Sequence, residues 1–342
     1  MMQISPETQL FIREHSSDDV RVLALQAKKY PDIDMPTAIT QIAGRKVAAE
    51  KIPSWWEIEK IWYPKHLSLE QCSSEITARY KARLLQGDSL TDLTGGFGID
   101  CSFLATGFKS TTYVERQEEL CEIAAHNFPV LNLNHINIKN EDGVTYLQAM
   151  SPVDCLFLDP ARRNEHGGKT VAISDCEPNV AELEELLLQK ANRVMIKLSP
   201  MLDLSLALKE LKQTQEVHIL SVNNECKELL ILLGQTSPTE ISSHCVNLST
   251  KGTQEEQHFV FTREQEQCSE CTYTDSLETY LYEPNASLLK AGAFRSIAAA
   301  YPVRKLHPNS HLYTSDTFIE NFPGRIFRIV NQCSFNKKEV KE

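Results

Sequence analysis

Between residue 87 and about residue 263, short apolar runs alternate with amphipathic stretches at a regular interval. The runs cover residues 90–93, 111–114, 136–139, 155–158, 193–196 and 217–222. Between them, residues 117–128 place apolar or small side chains at Leu120, Ile123, Ala124 and Phe128, which is a helical spacing, and residues 180–191 are rich in Leu and Glu. Strand, helix, strand at this interval predicts a parallel sheet with crossover helices, an open α/β domain. After Val222 the rhythm changes. Residues 229–233, 245–248 and 258–262 are extended runs without a long helix between them, as expected for antiparallel strands closing one edge of the sheet.

The flanks read differently. Residues 1–86 are mainly helical in pattern, punctuated by Pro31, Pro36, Pro53 and Pro64. Ser68-Leu69-Glu70-Gln71 fits a capping box and predicts one helix through Ala78, Ala82 and Leu85, with Gly87 as its C-cap. The expected organisation is a helical N-terminal arm over 1–86, a Rossmann-like α/β domain over 87–264, a polar linker over 265–277 and a small C-terminal α+β module over 278–342.

Composition narrows the class. The chain has 342 residues, 42% of them apolar, which suffices for a sizeable core. It has no apolar run near the ~18 residues of a membrane span, and its start lacks a secretory signal, so membrane insertion and export are not expected. Ten cysteines are scattered without a spacing framework, a usage that fits a reducing cytoplasm. The net charge of −11 is uneven. Residues 88–277 carry 14 Lys and Arg against 29 Asp and Glu, whereas residues 278–342 carry 9 against 6. A nucleic-acid surface would therefore have to come from the flanks, because phosphate affinity rests on local cations.

The chemistry is concentrated where strands end. Asp92-Leu93-Thr94-Gly95-Gly96-Phe97-Gly98-Ile99-Asp100 follows the first strand. Glycines at a strand-to-helix turn let backbone approach a nucleotide-like ligand. A diphosphate would be repelled by Asp92, whereas the amino group of a bound amino acid would be held by it, so this loop favours S-adenosylmethionine over a dinucleotide. Glu115 ends the second strand, where a carboxylate can take both ribose hydroxyls, and Asp142 ends the third, placed for an adenine amino group. Leu158-Asp159-Pro160-Ala161-Arg162-Arg163 ends the fourth. There the carboxylate could accept hydrogens from an exocyclic amine in a geometry stiffened by proline, leaving catalysis to positioning and desolvation. Lys197-Leu198-Ser199-Pro200 ends the fifth, and Lys197 could neutralise Asp159, contact substrate or be structural.

The order Asp-x-Thr-x-Gly-x-Gly-x-Asp, then Glu115-Arg116, then Leu158-Asp159-Pro160 resembles class I S-adenosylmethionine-dependent methyltransferases. With Thr94, Asp100 and the Glu-Arg pair, it is similar to bacterial ribosomal RNA guanine-N2 methyltransferases. As a set, residues 69–75, the glycine loop, residues 158–163 and 197–203, Glu225-Cys226-Lys227-Glu228-Leu229 and Tyr282-Glu283-Pro284 resemble bacterial methyltransferases with a C-terminal THUMP-like domain. The resemblance implies S-adenosylmethionine as cofactor, with Asp92, Thr94, Gly95, Gly96, Gly98, Asp100, Glu115, Arg116 and Asp142 as cofactor-binding candidates. Asp159, Pro160, Arg162 and Lys197 are the catalytic candidates, no metal is implied, and the substrate is RNA, at a base nitrogen such as guanine N2. A protein or small-molecule acceptor, or a non-catalytic RNA-binding role for the same fold, are the alternatives. Two departures stand out. Ala161 and Arg162 replace the proline and aromatic residue usual after Asp-Pro, and the ending at residues 335–342 is early, where longer relatives continue into a ferredoxin-like element.

Weaker signals remain. Trp55, Trp56 and Trp62 lie among Lys51, Lys60 and Lys65, a pattern for base stacking or, more often, for packing. Gln71, Ser73, Ser74 and Thr77 could line the cofactor mouth. Lys290, Arg295, Arg304, Lys305, Arg325 and Arg328 could dock RNA or form an ordinary solvated surface. A single Cys268-x-x-Cys271, with no second pair, is weak for zinc, and the histidines form no recognisable motif.

Overall fold

The computed structural model describes residues 4–162, 172–236, 238–250 and 256–332. The chain forms two compact units, and the boundary falls between Ile196 and Lys197.

In the first unit the helical arm comprises α1 (Pro6–Glu14), α2 (Val20–Leu25), α3 (Met35–Lys51), α4 (Pro53–Trp56), α5 (His66–Gln71) and α6 (Glu75–Ala82). The α/β part follows with β1 (Ser89–Asp92), α7 (Ile99–Ala105), β2 (Ser110–Glu115), α8 (Glu118–Val130), β3 (Ile136–Asn140), α9 (Gly143–Ala149), β4 (Val153–Leu158), α10 (Val180–Lys190) and β5 (Ala191–Leu198). Every pairing here is parallel, in the order β3-β2-β1-β4-β5, so all strands end at one edge. β1 and β4 are buried along most of their length, and in β4 residues 155–158 read as a continuous apolar run.

The arm departs from the single helix predicted after Ser68. α5 stops at Gln71, Cys72 is extended and Ser74 caps α6. Lys51 Nζ donates to the carbonyls of Leu69 (3.0 Å) and Glu70 (2.5 Å) at the C-terminal end of α5, satisfying groups that a continuous helix would have bonded itself. The break turns Ser73 inward, where it is buried.

In the second unit, α11 (Leu204–Glu210) precedes β6 (Thr214–Val222), β7 (Glu225–Gly234), β8 (Ser242–Leu248) and β9 (Glu256–Thr262). β6 pairs antiparallel with β7, and β9 antiparallel with β8, but β8 runs parallel to β6. The expected all-antiparallel set is thereby corrected. The β6–β7 hairpin occupies one side of β6, so the chain crosses to its other side and must then run in the direction of β6. α12 (Arg263–Cys268) opens with a capping box between Thr262 and Gln265, so part of the segment read as a linker is helical. The C-terminal module is a four-stranded antiparallel sheet in the order β11 (Arg304–Lys305), β12 (Tyr313–Ser315), β10 (Tyr280–Pro284), β13 (Gly324–Arg328), accompanied by α13 (Ala286–Ala291) and α14 (Arg295–Ala300). The fold is the α/β class read from the sequence, with a small C-terminal module. No helix among the described residues is long and apolar enough to cross a membrane.

Candidate active site

The loop after β1 is fixed by its neighbours. Leu93 N donates to Phe157 O (3.0 Å) and Gly95 N to Val114 O (2.9 Å), tying the turn to β4 and β2. A Cβ on Gly95 would lie 2.2 Å from the Tyr113 ring, and the Tyr113 hydroxyl donates to Gly96 O. Gly98 caps α7 at φ +87°, and a Cβ there would lie 3.0 Å from the Phe128 ring. These two glycines serve packing. Gly96 is different: its φ is +54°, yet the nearest atom to an added Cβ is Thr94 O at 3.7 Å, so the space beside it is open. Its conformation favours glycine, and its open side is where a ligand could approach.

Carboxylates gather around this opening. Asp92 is 1% exposed, and its Oδ1 accepts from Thr94 N (3.0 Å). Burial drives its pKa well above the ordinary carboxylate range, the Thr94 amide offsets this in part, and Asp100, Asp159 and Glu115 add repulsion. Glu115 is buried at the end of β2, where Oε2 accepts from Gly96 N (2.9 Å) and Oε1 from Gln117 N (2.8 Å). Each oxygen retains a lone pair. Asp159 N donates to Thr94 Oγ1 (2.6 Å), so the turn containing Asp159 and the buried Pro160 is anchored to the glycine loop. Like charges held together at the strand ends repel one another and suit a cation.

The remaining candidates have other partners or positions. Asp100 turns toward the arm: its Oδ2 accepts from Ser73 Oγ (2.7 Å), its Oδ1 lies 3.0 Å from Lys81 Nζ, and Lys81 also donates to Ser73 (3.0 Å). Lys81 is fully buried. Asp142 is exposed and caps α9, its Oδ1 accepting from Val144 N and Thr145 N, both at 3.0 Å. Arg116 pairs with Glu177 at 3.1 Å on the surface. Arg162 forms a two-residue bridge with Cys176 through its backbone, while its side chain and Arg163 lie outside the described residues. Lys197 is buried near the end of β5 and belongs to the second unit. Of the other arm residues named from the sequence, Thr77 is buried in α6 and its hydroxyl donates to Ser74 O (3.1 Å).

The tryptophans mostly pack. Trp55 is 2% exposed and meets Phe97 of the glycine loop edge-on at 5.2 Å, and Trp62 stacks on His126 at 3.7 Å. Asn127 and Gln41 each clamp the neighbouring backbone reciprocally, Asn127 at Trp62 and Gln41 at Tyr63. Trp56 is exposed with Arg45 over its ring. Phe97, Ser73 and Lys81 are thus supports of the loop that sequence spacing did not mark as such.

Most cations of the C-terminal module are committed within it or to its own unit. Lys290 Nζ donates to Leu202 O (2.8 Å), Arg295 to Gln267 O (3.0 Å), and Arg304 pairs with Glu278. Lys305 is buried and donates to Pro308 O (2.6 Å), and Arg325 pairs with Glu283 (2.8 Å). Of the two readings of these side chains, their pairing favours an internally satisfied surface. Their acids and carbonyls lie close enough to satisfy them internally.

A family model described as a ferredoxin-like domain matches residues 280–323. The ferredoxin-like element thus lies inside the chain, not beyond residue 335, and the match is to that domain rather than to a THUMP-like one. No curated protein matches the chain. Among solved structures, a protein assigned as a methyltransferase from Porphyromonas gingivalis W83 aligns at 34% identity and TM-score 0.83, over 97% of this chain and 84% of that one. An rRNA methylase from Streptococcus thermophilus aligns at 14% identity over 46% of this chain and 93% of its own, with TM-score 0.34. A protein assigned as a methyltransferase from Streptococcus mutans, in complex with SAH, aligns at 13% identity over 47% of this chain and 96% of its own, with TM-score 0.34. At its identity and coverage the first of these establishes kinship: the chain belongs to the same family as the Porphyromonas gingivalis methyltransferase.

Proposed function

We propose that the chain methylates RNA with S-adenosylmethionine, at a base nitrogen such as guanine N2. The observation that carries the cofactor is Asp92, buried beside Glu115 and Asp159 at the strand ends next to the open side of Gly96. The residues fit that group: S-adenosylmethionine brings an ammonium and a sulfonium, which relieve the repulsion, whereas a dinucleotide diphosphate would increase it. In this reading Asp92 takes the ammonium, Gly96 leaves room for the chain of the cofactor, and the oriented lone pairs of Glu115 take the ribose hydroxyls. Asp142 turns one oxygen to its helix, and the other is assigned to the adenine amino group. When bound, the cofactor supplies an electrophilic methyl group.

Asp159 is the proposed catalytic residue. Its carboxylate accepts hydrogens from the exocyclic amine and holds the nitrogen lone pair toward the opening, and Pro160 together with the Thr94 anchor fixes its direction. Asp100, Ser73 and Lys81 act as positioning residues that hold α7 against the arm.

For RNA attraction the arm is the better candidate. A cavity of about 600 Å³ there is lined by Arg13, Arg45 and Lys60 together with Trp62 and His126, which combines phosphate-binding cations with aromatic surface. The test uses labelled S-adenosylmethionine with RNA from a strain lacking the gene. Label should enter RNA, be released by RNase and appear as one methylated guanosine by nucleoside mass spectrometry. Label that enters only an RNase-resistant fraction would establish a different acceptor.

A further inference from the structure

We propose that the sheet formed by β6, β8 and β9 carries a binding site for a divalent transition metal of the zinc type, with Glu216, His218 and His244 as ligands and His258 beside them. The site lies in the second unit and shares no residue with the proposed cofactor cradle.

Strand register assembles the group. Glu216 and His218 are two residues apart on β6 and so share a face, and β8 places His244 directly opposite His218. On β9, His258 pairs with Val246, which lies on the same face as His244. The donor atoms lie close to one another. Glu216 Oε2 lies 3.2 Å from His218 Nε2, His244 Nδ1 lies 3.2 Å from His258 Nε2, and one donor atom from each of Glu216, His218 and His244 falls within 4.8 Å of the others. A tetrahedral zinc with bonds near ~2.0–2.1 Å sets its ligand atoms about 3.3 Å apart, so rotamer adjustments rather than backbone movement would close the set.

The chemistry of the donors agrees. His218 and His244 stack at 4.4 Å, and His244 and His258 at 5.4 Å. Neutral imidazole is the form that ligates, and the Glu216 carboxylate supplies charge compensation. Two nitrogens with one carboxylate oxygen, and a third imidazole in reach, is a borderline-soft donor set that suits zinc rather than magnesium or calcium. Ser242 Oγ, 3.2 Å from His244 Nε2, is placed to orient the His244 ring, as outer partners of metal ligands do. The metal would clamp adjacent strands whose sequence positions have no motif spacing.

The test uses the full chain carrying C268S and C271S, which removes a C-x-x-C pair that could also take up zinc. The protein is stripped with a chelator, dialysed against Zn²⁺ and analysed by elemental mass spectrometry, with Co²⁺ absorption as a report on geometry. About one ion per chain, a Tm raised by Zn²⁺ and tetrahedral-type Co²⁺ bands are expected, with occupancy falling at least ~10-fold in H244A. Glu216→Gln, which conserves shape, guards against a folding defect in H244A and should weaken binding in the same direction. A parent protein that retains no zinc, or occupancy unchanged in H244A and E216Q as folded proteins, would overturn the proposal.

Discussion

The strand-end edge of the first unit and the C-terminal module treat charge in opposite ways. At the edge, burial raises the Asp92 pKa and the fields of Asp159 and Glu115 add to it, while Asp100 nearby is paired with Lys81. In the module, Arg304 meets Glu278, Arg325 meets Glu283, and Lys305 is buried on a carbonyl. Charges that a fold neutralises for itself are architecture. Charges that it holds together against their own repulsion are maintained for something that arrives, and the edge, not the more basic module, has this character.

The sharpest break in this comparison is Asp159→Ala. It should lower methyl transfer by about 10²–10⁴-fold while S-adenosylmethionine affinity stays within about threefold, as measured by single-turnover kinetics and calorimetry. Unchanged turnover would make the Asp-Pro turn structural. Lys81→Met tests the support beneath the edge. It leaves Asp100 buried without its ion pair, and stability should drop by about 3–5 kcal/mol in urea unfolding.

Asp92 gives a prediction with a sign. Its folded pKa lies above the unfolded value, so its stabilising contribution is full below the ordinary carboxylate range and is lost as pH rises through the raised value. Asp92→Asn, whose amide oxygen can still accept from Thr94 N, should therefore raise Tm at neutral pH, flatten this pH dependence and weaken the cofactor. A lower Tm would mean that the charge is compensated within the fold. On the basic side, Arg45→Gln with Lys60→Gln should weaken RNA binding and reduce its salt slope by about 2. The smallest effect belongs to the module. Arg325→Gln removes a partly exposed pair worth about 0–1 kcal/mol and should leave RNA affinity unchanged.

Periodicity made the parallel strands legible, most plainly in β4, where residues 155–158 are apolar and buried. The edge followed from the strands, since parallel strands end on one side, and Glu115 and Asp159 do act on Asp92 there. What stayed hidden depends on partners distant in sequence. Ser73 is buried because Lys51 ends α5, Trp55 packs because Phe97 projects from the glycine loop, and β8 is parallel because β7 already occupies one side of β6. The Glu216, His218 and His244 group depends on that last crossing, so no spacing in the chain could announce it.

The central claim is that the opening over Gly96, walled by carboxylates, holds S-adenosylmethionine. Calorimetry of S-adenosylmethionine into the full chain, beside Gly96→Val, tests it most directly. Valine at φ +54° is both strained and placed in the open space a ligand would need, so the substitution should abolish binding while far-UV circular dichroism shows the fold retained. The account predicts one cofactor bound per chain in the parent protein and none in the variant. No binding to the parent, or equal affinity in a folded Gly96→Val protein, would contradict it.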